Sequence, residues 1–153
     1  MLRKFAYITL ISLALPQGYN MELVSFMDFG QDVSDITGFY QDGREFGVIG
    51  LQNAAAFVDI TDPSNPFEVG RISGGNSIWR DLKYWNRHVY IGTEASDGVK
   101  VVSVDNLDNP TLVSTISDFG NSHNIHIDAD GYLYVVGARS EERRVGKECR
   151  SRW

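Results

Sequence analysis

A chain of 153 residues can bury a sizeable single core, and with 42% apolar and 22% charged residues it belongs with globular rather than disordered proteins. A formal net charge of −6 disfavours nucleic acid and anionic membrane surfaces as partners, since both demand a basic face. Apolar residues come in bursts of four to six between Gly, Asp, Asn and Pro, with no helical period after the first 15 positions, so an all-β protein is expected.

The first segment stands apart from that pattern. Arg3 and Lys4 precede an uncharged, mostly apolar run from Phe5 to Leu15, which Pro16-Gln17-Gly18 breaks. Such a run is too short to cross ~30 Å of hydrocarbon as a helix but suits a secretory signal peptide, so residues 1–18 are expected to be one. Ser12-Leu13-Ala14 fits small-x-small cleavage, while cleavage after Gly18 leaves Tyr19 as the mature start. A buried N-terminal helix or strand is the plainer alternative. No Cys follows the run, so no lipoprotein anchor and no transmembrane span are expected. The expected location is exported: extracellular, cell-surface or periplasmic.

The rest of the chain repeats with a period of about 44 residues. Phe57 to Pro66 (FVDITDPSNP) lines up with Val101 to Pro110 (VVSVDNLDNP) at an offset of 44. Leu23-Val24-Ser25-Phe26, Glu68-Val69-Gly70-Arg71 and Leu112-Val113-Ser114-Thr115 form a second set. Phe46 to Gly50, His88 to Gly92 and Leu133 to Gly137 form a third. Each period holds four short strands, in the central one Glu68 to Ser73, Trp79 to Tyr84, His88 to Thr93 and Val99 to Val104. Gln41-Asp42-Gly43-Arg44, Asn86-Arg87 and Asp128-Ala129-Asp130-Gly131 supply the hairpin turns between the second and third strands, because Asn, Asp and Gly tolerate positive φ. Asp62-Pro63-Ser64-Asn65-Pro66 and Asp108-Asn109-Pro110 make rigid turns into the next strand. Four strands in this length match one β-propeller blade, whereas a β-solenoid rung is shorter. Residues 19–138 are therefore expected to be a partial β-propeller of about two and a half four-stranded antiparallel blades, an open fan rather than a closed ring.

The last 15 residues, Arg139 to Trp153 (RSEERRVGKECRSRW), are dense in charge and continue no period. They resemble the in-frame translation of a common short-read sequencing adapter, whose opening AGATCGGAAGAG encodes Arg-Ser-Glu-Glu. A genuine basic tail is the competing reading. If the tail is foreign, the natural gene continues beyond Ala138 and Cys149, the single cysteine, is not native. Setting aside the tail's six basic and three acidic residues leaves eight basic and seventeen acidic ones, a net charge of −9, or −11 without Arg3 and Lys4. An exported chain of that kind is held by its core and not by disulfides.

Val58 to Pro66, a Val-Asp-Ile-Thr-Asp-Pro-x-Asn-Pro element, resembles the LVIVD-type repeat. Together with Ser77 to Lys83, Ser122-His123-Asn124-Ile125 and Gly131 to Gly137, it resembles the choice-of-anchor B family of bacterial surface proteins over roughly Asn20 to Ala138. The resemblance implies an exported propeller of several blades, tethered by a variable C-terminal sorting domain. It implies little about mechanism.

Aligned periods bring Ser34-Asp35-Ile36, Arg80-Asp81-Leu82 and His123-Asn124-Ile125 to one register, which in a propeller is the innermost strand beside the channel. Asp35, Asp81 and Asn124, with Arg80 and His123 beside them, are the candidate binding residues. A ring of oxygen ligands for a cation such as calcium, or for a polar solute, is one reading. The other is bonding between blades, each carboxylate accepting a backbone N–H. His123 and His126 invite a metal, but residues three apart in a strand point to opposite faces. Asp128-x-Asp130-Gly131 opens like a calcium loop and lacks its later ligands, so a hairpin turn explains it. Trp79, Trp85, Tyr84, Phe39 and Tyr40 form either an aromatic binding face or the filling between blades.

No nucleophile elbow, Cys-x-x-Cys, phosphate loop or dinucleotide fingerprint occurs, so no enzyme is expected. The expected function is an exported or cell-surface scaffold for a protein or small ligand, without nucleic acid and with calcium the only cofactor entertained. The rival is an exported propeller enzyme, with or without a metal, whose site lies over the channel around Asp81 and His123.

Overall fold

The computed structural model describes residues 21–118 and 120–138, so the expected signal peptide and the tail from Arg139 lie outside the described residues. Every element within them is a β-strand. β1 (Val33–Gln41), β2 (Arg44–Leu51), β3 (Ala54–Asp59) and β4 (Phe67–Ser73) form one antiparallel sheet in chain order. β5 (Arg80–Trp85), β6 (His88–Thr93), β7 (Val99–Ser103) and β8 (Thr111–Ile116) form a second of the same order. β9 (Asn124–Ile127) and β10 (Leu133–Val136) pair as a third. The sheets have four, four and two strands, and none closes into a barrel.

Turn chemistry accounts for the hairpins. Asp42 and Gly43 have φ of 51° and 83°, and Asn86 and Arg87 have φ of 45° and 61°, the paired positive values of a two-residue turn whose twist matches its strands. Between β9 and β10, Asp128 Oδ1 accepts from the backbone N of Asp130 (3.0 Å) and of Tyr132 (2.9 Å). The Pro-containing loops are folded by their own side chains. Asp62 accepts from Ser64 N at 3.0 Å, and Asn106 Oδ1 accepts from Asp108 N at 3.1 Å. Even the irregularities repeat, with a bulge at Phe57/Val58 in the first sheet and at Val101/Val102 in the second.

Three expectations need correction. Glu68 to Ser73 does not open the sheet that contains Trp79 to Tyr84, because β4 is hydrogen-bonded to β3 and so closes the preceding sheet. The sequence period and the hydrogen-bonded unit are offset by one strand. Leu23 to Phe26 matches β4 and β8 in sequence yet is not a strand, since no described strand lies beside it to complete a ladder. The third set slips by one residue at its last member. Asp81 pairs with Gly92, but Asn124 pairs with Val136 and not with Gly137, because the β9–β10 connection is longer than the Asn86-Arg87 turn.

The inner strands supply the core from both faces, β3 being buried along its whole length and β6 at every residue after His88. Phe39, Phe46, Val48 and Phe57 face Leu82, Val89, Ile91, Val102 and Val104 across the first two sheets. Tyr90, Val99 and Val101 meet Ile125 and Leu133 across the second and third. β1 packs on β5, and β5 on β9. Phe39 stacks on Tyr84 with centroids 4.5 Å apart and on Phe46 at 5.1 Å. Trp85 lies on the β9–β10 turn, where a Cβ on Gly131 would stand 2.4 Å from its ring. Phe39, Tyr84 and Trp85 fill space between sheets, whereas Tyr40 and Trp79 are exposed.

Candidate functional site

The register carrying Asp35, Asp81 and Asn124 lies on the first strands of the three sheets, or immediately beside them. Asp35 Oδ2 accepts from the backbone N of Leu82 at 2.8 Å, and Asp81 Oδ2 accepts from the backbone N of Ile125 at 2.6 Å. Each carboxylate thus holds the residue one place after its own counterpart in the next sheet. β5 and β9 would otherwise present these amides to apolar surroundings without an acceptor.

Lys83, not singled out from sequence as a site residue, stands between the two acids. Its ammonium donates to Asp81 Oδ1 and to Leu82 O (3.1 Å), and lies 4.0 Å from Asp35 Oδ2. The position that an external cation would take between Asp35 and Asp81 is therefore filled by a side-chain cation. Burial by itself raises the pKa of the Asp81 carboxyl, but the Lys83 hydrogen bond and the Ile125 N–H outweigh it and hold the group below its ordinary value.

Arg80 points the other way, into the joint between the first two sheets, and is almost fully buried. Its Nε donates to Leu51 O at 2.6 Å and its Nη2 to Gln52 O at 3.0 Å and to Gly75 O. A planar fork suits these divergent carbonyls, two at the β2–β3 turn and the third, Gly75, in the connection from β4 to β5. Burial pulls the Arg80 pKa down against the opposing charge of Asp97. Asp97 in turn accepts from Gly75 N at 2.8 Å and pairs with Lys100 at 2.8 Å. Arg80 is thus not beside the bonding oxygens of Asp81 but belongs to the frame behind them.

His123 and Asn124 occupy an open corner. His123 Nδ1 and Asn124 Oδ1 are 2.6 Å apart, and Asn124 Nδ2 donates weakly to Asp81 Oδ2 at 3.4 Å. The His123 ring lies 4.8 Å from that of Trp79, whose Nε1 donates to His123 O at 3.0 Å. Glu94 Oε1 is 3.6 Å from His123 Nε2. A cleft of about 390 Å³ opens here, lined by Glu94, Asn121, His123, Val136 and Gly137. Ser122 fixes the corner to β6: its Oγ accepts from Thr93 N at 3.1 Å, and its N donates to Thr93 O at 2.8 Å. His126 is near Tyr134, with rings 6.2 Å apart, and is not brought together with His123. Among the described residues no three His, Cys, Asp or Glu side chains converge as metal ligands do, and no hydroxyl or thiol is bonded to the His123 ring.

Gln41 was equally inconspicuous in the sequence. Its buried amide donates to Val104 O at 2.7 Å and accepts from Tyr84 OH at 3.1 Å, bridging the first two sheets at their opposite end. A polar residue at a core-facing strand position is the one signal that would have marked it.

No helix among the described residues is long and apolar enough to cross a membrane. No family model matches the chain, and no curated protein or solved structure matches it either.

Proposed function

We propose that the three sheets are successive blades of a β-propeller of the choice-of-anchor B kind, and that the protein is an exported, non-catalytic scaffold for a protein or small ligand. The observation that carries the blade reading is the repeated bond from Asp35 to Leu82 N and from Asp81 to Ile125 N. It relates sheet one to sheet two as sheet two relates to sheet three, with first strands side by side as around an axis. The scaffold reading is supported by how the polar groups are used. Asp35, Asp81, Lys83 and Arg80 are bonded to backbone or to one another, an arrangement that holds sheets rather than reacting atoms. The cleft beside His123, with the Trp79 ring at its rim, is the contact surface this reading assigns.

Fusing an export-dependent alkaline phosphatase after Ala138 tests location: activity that requires residues 1–18 is expected. For function, the full chain is assayed against ester, phosphate, glycoside and redox substrates beside His123→Ala. No turnover is expected from either. Turnover that disappears in His123→Ala would replace the scaffold by the rival enzyme.

A further inference from the structure

We draw no further inference here: the strongest candidate, the cleft that Glu94, Asn121 and His123 line with Val136 and Gly137 between the second and third sheets, belongs to the site already described and is bounded by the last residues that the structure describes, so nothing in it shows what covers that cleft.

Discussion

Asp81 Oδ2 lies 2.6 Å from the backbone nitrogen of Ile125, which is 44 residues further along the chain and in another sheet. The other oxygen of the same carboxylate receives the Lys83 ammonium. One side chain thus joins two sheets and neutralises its neighbour, and its removal affects both.

Asp81→Ala should destabilise the protein by roughly 1–3 kcal/mol, the usual cost of leaving buried donors unsatisfied. Urea unfolding followed by far-ultraviolet circular dichroism reads the loss. Asp81→Asn keeps an acceptor for Ile125 N–H and should lose less. Equal midpoints for parent and Asp81→Ala would remove this bond from the account of the joint.

The pH dependence follows from the same group. Asp81, Asp59 and Asp97 are each pushed up by burial, the largest single effect, but held below the ordinary carboxyl value by opposing bonds that together outweigh it, from Lys83 and Ile125 N–H, from Thr61 and Arg44, and from Lys100 and Gly75 respectively. A folded pKa below the unfolded one means stability fully present above about pH 4, the unfolded Asp range, and lost as pH falls through the lower folded values. Thermal melting should therefore be flat in this respect down to about pH 4 and decline below it. In Asp81→Asn the decline should be shallower.

Lys83 sets the response to calcium. With its ammonium between Asp35 and Asp81, added calcium should leave the melting temperature of the parent chain unchanged. Lys83→Met removes that charge and leaves two carboxylates facing one gap. Its melting temperature should fall without calcium and recover when calcium is added, since a ligand that binds only the folded state stabilises it. A parent chain that calcium stabilises as much as Lys83→Met would show that the ion binds elsewhere.

Gly131→Ala tests the joint between the second and third sheets. Its φ of 83° already penalises any side chain, and the added methyl would stand 2.4 Å from the Trp85 ring. Overpacking of this kind costs about 1–3 kcal/mol. Hydrogen exchange should accelerate across Asn124–Val136 while the amides of β2 and β3 keep their protection.

The strands were legible because their apolar bursts are short and bounded by residues that turn the chain, as at Asp42-Gly43 and Asn86-Arg87. The equivalence of Asp35 and Asp81 was legible because the repeat preserves it. Lys83 was not, since a long flexible side chain declares its destination only when a neighbouring sheet places two acids around it. Arg80 misled for the same reason: adjacent to Asp81 in sequence, it leaves on the opposite face of β5 and bonds to carbonyls of another sheet. The slip at Val136 was hidden by Gly137, whose identity with Gly50 and Gly92 outweighed a difference in turn length that the sequence alone could not fix.

The bond from each sheet to the next needs only one carboxylate reaching forward and one amide offered behind, and the amide comes free with any backbone. A gene segment of about 44 residues can therefore be copied in frame, and the new unit finds its attachment points ready on both sides. Such a chain can take on a further unit without inventing a new contact, and the joint tolerates variation in the length of the unit, since the bond spans 47 residues from Asp35 to Leu82 and 44 from Asp81 to Ile125.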